Sequence, residues 1–147
     1  MTKQMNMKFA DSKEIFLSIR PKFAKLILAR EKTHEFRKYK PNQPIKRIWF
    51  YITRPECVLK YIAEVGEPVE SPAHISEEGI GNSEFNKGLK LSKFAFPILH
   101  LDELIECVPL NKLREQFNFN PPQSYIYTET FPDLVKFVNG CKMRRLY

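Results

Sequence analysis

The stretch Ile45 to Thr53, IKRIWFYIT, narrows the possible folds more than any other part of the chain. Its β-branched and aromatic residues favour a strand. A strand at a protein surface alternates apolar and polar side chains, whereas this one is apolar on both sides around Trp49 and Phe50. Both faces must therefore be covered, as in a barrel strand with a helix laid against it. The remaining segments have to supply a curved sheet and at least one helix.

The neighbouring segments have that character. Lys13 to Arg20 reads as a strand, with Ile15, Leu17 and Ile19 alternating against Phe16 and Ser18. Pro21 suits the first turn of a helix, where its missing N–H costs nothing. The spacing predicts a helix to about Arg30, packed through Phe23, Leu26 and Ile27, with Ala24 and Leu28 widening the stripe. Thr33 to Tyr39 is a second extended stretch, and Pro41, Asn42 and Pro44 mark a turn. Leu59, Tyr61, Ala63 and Val65 alternate as a further strand. Glu67 to Lys90 reads as turns and short acidic helical pieces, and Lys93 to Leu101 as a strand. Leu110, Leu113 and Phe117 mark a short helix, and PPQSYIY, Pro121 to Tyr127, has strand character. A last helix is expected with Thr130 as N-cap, Pro132 in its first turn and Gly140 at its C-cap, followed by a basic tail, CKMRRLY. The order β-α-β-β-β, then short helices and strands, predicts an α+β fold: a small β-barrel with flanking helices, and not a parallel doubly wound sheet. Residues 1–12 are polar and read as a flexible segment, leaving residues 13–147 as one domain.

Several function classes are set aside. No apolar run approaches the ~18–20 residues of a membrane-spanning helix, and Met1 to Ala10 lacks the apolar centre of a signal peptide. Cys57, Cys107 and Cys141 are odd in number and without a CxxC pair, which argues for reduced thiols in an intracellular, cytoplasmic protein. His34, His74 and His100 are equally scattered, so neither a metal nor another cofactor is expected, and a monomer is. With 24 Lys+Arg against 17 Asp+Glu, the net charge of +7 suggests an anionic partner such as RNA, DNA or a nucleotide; a solvated basic face is the alternative.

The densest chemistry lies in Glu31 to Tyr39, EKTHEFRKY. In an extended chain Thr33, Glu35 and Arg37 share one face, and His34, Phe36 and Lys38 the other. Phe36 belongs in the core, so Glu35 and Arg37 should point towards a groove or solvent, with Lys32 reaching the same rim. A carboxylate accepts from base N–H groups, Arg donates to carbonyl or phosphate oxygens, and Lys supplies a point charge. The competing reading is an exposed, salt-bridged strand worth little to stability. Arg54, after a strand end, is either a phosphate contact or a loop charge. Trp49, Tyr51 and Tyr125 carry rings that stack on bases, though Trp49 reads as core. Gln123 and Ser124, behind a stiff Pro pair, are candidates for contacts to a base edge.

LSIRPKFAKLILAREKTHEFRKY, Leu17 to Tyr39, resembles the opening of the ASCH family, a branch of the PUA-like superfamily. That opening is a strand, a Pro-started helix and a G-x-K-x-x-E-x-R-like turn into the next strand. Lys32, Glu35 and Arg37 stand at the Lys, Glu and Arg positions, and Arg30 stands where the Gly is usual. Tyr51 to Pro55 and PPQSYIY resemble later segments. The resemblance implies a PUA-like barrel that binds RNA or a modified nucleobase in a cleft lined by Lys32, Glu35, Arg37, Arg54, Gln123, Ser124 and Tyr125. Some relatives are enzymes, amidohydrolases acting on acetylated cytidine or ribonucleases. The alternative it implies is therefore a nucleoside amidohydrolase or ribonuclease using Lys32 with a carboxylate, Glu35 or Glu64. In the amidohydrolases a Thr follows the Lys by three residues; here that residue is Glu35, leaving Thr33 or Ser124 as the hydroxyl candidates.

Overall fold

The computed structural model describes residues 12–147. The flexible segment expected over residues 1–12 thus lies, but for its last residue, outside the described residues. The elements run β1 (Lys13–Ile19), α1 (Pro21–Leu28), β2 (His34–Arg37), β3 (Ile45–Ile52), β4 (Val58–Val65), β5 (Val69–Glu70), α2 (Asn82–Asn86), β6 (Phe94–Pro109), α3 (Leu110–Phe117), β7 (Ile126–Tyr127), a 3-10 turn (Thr128–Thr130), α4 (Pro132–Asn139) and β8 (Met143–Arg145). One mixed sheet runs in the order β2-β6-β4-β3-β1-β7, with β5 and β8 also paired to β6. β1 and β3 are parallel, as the intervening helix requires, and β3, β4 and β6 follow antiparallel. The sheet curls into a half-barrel. The α+β barrel expected from the strand order is present in partial form: the path ends on β2 and β7, four and two residues long, which do not pair with each other.

Strand β3 explains the architecture. Ile48, Phe50 and Ile52 join Ile15, Leu17, Ala24, Ile27 and Ala63 in a core under α1. Trp49 and Tyr51 point the other way, into a second core with Phe16, Leu113, Phe119, Leu134 and Val138 under α3 and α4. The two-faced apolar pattern thus reflects two cores separated by one sheet. Trp49 is 2% exposed, and its Nε1–H donates to Glu14 Oε1 at 2.8 Å, so the indole is buried without an orphaned donor.

Three segments depart from expectation. In α1, Ala24 and Ile27 are the buried residues, while Phe23 and Leu26 are half-buried. The small Ala24 faces the sheet, and this rotation turns the Phe23 ring towards an open cleft. Strand β6 runs 16 residues to Pro109, past its expected end at Leu101. Asp102 and Glu103 look like a break but pair in register with Arg145 and Arg144 of β8, so the basic tail is a strand. Thr130 lies in the 3-10 turn, and Phe131 occupies the cap of α4 without a side-chain cap bond.

The helix orientation sets an expected ranking of stabilities. Ile27→Ala should cost about 2–5 kcal/mol, as for a fully buried side chain. Phe23→Ala should cost less, because part of the ring is already in water. Urea unfolding of the two variants measures both, and the reverse ranking would place Phe23 in the core.

Candidate functional site

Helix α1 ends by folding its last carbonyls back on the chain: Leu26 O accepts from both Glu31 N and Lys32 N. The turn passes through Arg30 at φ 61, the left-handed region that favours glycine. It delivers Lys32 to the mouth of β2, which pairs antiparallel with β6 through Glu35–Phe96 and Phe36–Ala95. Between α1, β2 and the segment around Lys90 lies a cleft of about 340 Å³. Its walls carry Arg20, Lys32, Arg37 and Lys90 against the single carboxylate of Glu35, together with Ser18, Ser92 and the rings of Phe23 and Phe36.

Glu35 and Lys32 are 7% and 6% exposed, and Phe36 is only half-buried. Glu35 is thus more deeply buried than the Phe36 expected in the core. Phe36 stacks on Phe85 of α2 at 5.7 Å, while Glu35 faces the wall of the cleft. With both faces covered, alternation no longer separates core from solvent. The Phe36 ring also carries two ammonium groups, Lys32 Nζ at 4.7 Å and Lys90 Nζ at 4.5 Å from its centroid. Burial pushes the Lys32 amine down from its usual range; the Glu35 carboxylate opposes this, and the charges of Lys90 and Arg37 add to it. Arg37 Nη2 lies 3.4 Å from Glu35 Oε1. Glu35 Oε2 and Arg37 Nε are buried and have no hydrogen-bond partner among the described residues.

A polar network supports this wall from behind. Asn82 Nδ2 donates to Thr33 Oγ1 at 2.9 Å, and that hydroxyl is hydrogen-bonded to His34 Nδ1 at 2.8 Å. Burial, then the Lys32 charge, pushes His34 down to about 4, so it is neutral at pH 7. Gly79 closes over the network: a Cβ there would lie 2.7 Å from Thr33 Oγ1 and 2.8 Å from Asn82 Nδ2.

The fold brings Lys32, Glu35 and Arg37 to one cleft and disperses the rest. Arg54 is exposed in the turn after β3 and does not line the cleft. Glu64, on β4, lies 3.8 Å from Arg145 and does not line the cleft. Gln123 and Ser124 are exposed, on a loop tied to β1 where Ser18 Oγ donates to Pro122 O at 2.7 Å. That loop borders the Ser18 wall. Tyr125 is half-buried, with its ring 5.5 Å from that of Tyr127. Arg144 and Arg145 are spent on carboxylates of β6. The sequence marks neither Arg20, Lys90 nor Ser92 as a site residue, and Phe23 only as core. Arg20 could have been found, because it stands between a strand and a helix-starting proline; Lys90 lies in an aperiodic segment that holds no signal. Among the described residues no three His, Cys, Asp or Glu side chains converge as metal ligands. No helix among them is long and apolar enough to cross a membrane.

No protein-family model matches the chain. A curated relative, an ASCH domain-containing ribonuclease of Zymomonas mobilis, is 32% identical over 124 residues, spanning 78% of this chain and 83% of that protein. A crystal structure of ASCH from Zymomonas mobilis superposes with a TM-score of 0.65 at 28% identity, covering 88% of this chain and 96% of that one. A serine-to-alanine variant from the same organism gives the same TM-score and identity, over 90% of this chain and 99% of that one.

The buried histidine makes stability depend on pH. His34 takes up its proton at about 4 in the fold, against 6.5 in an unfolded chain. Above about pH 6.5 both states are neutral and the full stability is present. Between about 6.5 and about 4 only the unfolded chain binds the proton, so stability falls as pH falls, by at most about 3 kcal/mol. Urea midpoints across this window should show the loss, and His34→Gln should flatten it. An equal slope in both proteins would mean that the imidazole is hydrated in the fold.

Proposed function

This chain belongs to the ASCH-domain family, and on that premise we propose that it binds single-stranded RNA, holding one nucleotide, modified bases included, in the cleft of Lys32, Glu35, Arg37 and Lys90. The observation that carries this reading is the pair of buried, unpartnered atoms, Glu35 Oε2 and Arg37 Nε, set among ammonium groups. A buried polar atom without a partner is costly, and an acceptor beside a donor matches the edge of a base. Glu35 accepts from base N–H groups, Arg37 donates to a carbonyl or phosphate oxygen, and Lys32 and Lys90 balance phosphate charge. Single strands are favoured because a base must leave its stack to reach such side chains. The net charge of +7 and the ribonuclease name of the Zymomonas mobilis relative support the same ligand class. Gln123, Ser124 and Tyr125 border the nucleotide from the Ser18 side, and Arg54 contacts only a strand long enough to reach it.

A second reading is that the bound RNA is cut. The position of Lys32 beside Glu35 in the cleft favours it, together with the lowered proton affinity of its amine, because an amine that releases its proton more readily is the better general acid. In that case Glu35 would receive the 2′-hydroxyl proton as that oxygen attacks the adjacent phosphorus. Lys32 would protonate the departing 5′-oxygen, leaving a 2′,3′-cyclic phosphate and a 5′-hydroxyl. Glu64 has no part in it, lying 3.8 Å from Arg145 and outside the lining of the cleft.

Fluorescence anisotropy with labelled single-stranded RNA tests the first reading. Arg37→Ala and Lys90→Ala should each weaken binding, and each lost phosphate contact should lower the log–log salt slope by about 0.7. Glu35→Gln keeps the shape and removes the charge; it should lower the melting temperature, because Lys32 and Arg37 lose their buried counter-charge, and alter the preference among bases per folded molecule. Unaltered affinity in all three variants would remove the ligand from this cleft. Gel analysis of the same mixtures reads turnover: cleavage that disappears in Lys32→Ala establishes the second reading, and intact RNA at saturation excludes it.

A further inference from the structure

The Lys32 side chain lines a second groove as well, of about 480 Å³, whose other walls include Arg30, Tyr147, Glu77, Glu78 and His100. From its left-handed backbone position, Arg30 lays its guanidinium over the Tyr147 ring, 4.1 Å from the centroid. Tyr147 is itself fixed, with its hydroxyl donating to Ile27 O at 2.7 Å and its carbonyl accepting from Leu101 N at 3.0 Å. A strained backbone and a stacked head together define where the Arg30 plane stands, and the residue is exposed, so the plane is open on the side away from Tyr147. The charges facing the groove balance, Arg30 and Lys32 against the exposed Glu77 and Glu78. A phosphate gains little there. A flat neutral group with hydrogen-bond donors gains a stacking surface and two carboxylate acceptors. His100 Nδ1, buried without a partner among the described residues, adds a third polar contact.

We infer that this groove is a second nucleobase subsite, in which a base bearing an amino group stacks on the Arg30–Tyr147 platform and donates to Glu77 or Glu78. The inference rests on the RNA reading of the first cleft, to which Lys32 joins it, and it goes beyond that reading by assigning a base preference to the neighbouring nucleotide. Guanine suits the site best, because its N1–H and 2-amino group present two parallel donors to one carboxylate. Arginine planes are established stacking partners for unstacked bases.

The test compares a nonamer of uridines with the same nonamer carrying one central guanosine, each titrated into wild type, Arg30→Lys and Arg30→Gly. The wild type should prefer the guanosine RNA by about 5- to 150-fold, the range expected for one stacked base. Arg30→Lys keeps the charge and loses the plane, so the preference should collapse to less than about 2-fold while uridine binding is retained. Arg30→Gly should lose the preference too while unfolding at an equal or higher temperature, because glycine relieves the left-handed strain. Equal binding of the two RNAs by the wild type, or a preference that survives in Arg30→Lys, overturns the subsite and leaves the first cleft standing. Binding of neither RNA by the wild type overturns the RNA reading and the subsite with it.

Discussion

The structure depends on one strand buried on both faces. β3 sends Ile48, Phe50 and Ile52 into the core under α1, and Trp49 and Tyr51 into the core under α3 and α4. A polar residue at any of these positions would leave a buried group without water or a partner. The parallel pairing of β1 with β3 follows, because the crossover helix α1 must then lie over the first of these cores. That placement sets the C-terminal end of α1, and the turn after it carries Lys32 to β2. The chemistry is thus anchored to the most deeply buried part of the chain, although none of its residues belongs to β3.

The cleft is assembled against an electrostatic cost. Two ammonium groups share the face region of one phenyl ring, and a guanidinium lies close by, with one buried carboxylate to balance them. The ring quadrupole and Glu35 offset part of the repulsion and desolvation. The remainder shows in the lowered proton affinity of Lys32 and in the unpaired atoms of Glu35 and Arg37. Local rules of packing are broken where a ligand would be recognised, which is the usual place for such exceptions. The Thr33–His34–Asn82 network behind the wall is satisfied by contrast, apart from Asn82 Oδ1, and holds β2 without using the groups that face the cleft.

The Arg30 position shows how one substitution in a family pattern changes what a turn offers. The backbone there is left-handed, which accounts for the glycine usual in ASCH sequences. Arginine accepts the strain because its head group has a ring to rest on, and it brings a planar cation to the groove beside Lys32. The same turn that delivers Lys32 to the cleft therefore also carries Arg30 to the neighbouring groove.

Sequence by itself determined the α+β class, the Pro21-started helix, the buried β3 and the grouping of Lys32, Glu35 and Arg37. Each of these follows from side chains close together in the chain, where periodicity and turn chemistry act directly. Only the tertiary structure decided which face of α1 is buried, that the sheet stops at a half-barrel and that Glu35 lies deeper than Phe36. It alone joined the tail arginines to Asp102 and Glu103, moved Glu64 and Arg54 away from the cleft, and brought in Arg20 and Lys90. These outcomes depend on pairings between segments tens of residues apart. A strand's alternation states that its two faces differ, but what covers each face is set by other elements, and with both sides of β2 covered the pattern no longer says which residue meets a ligand.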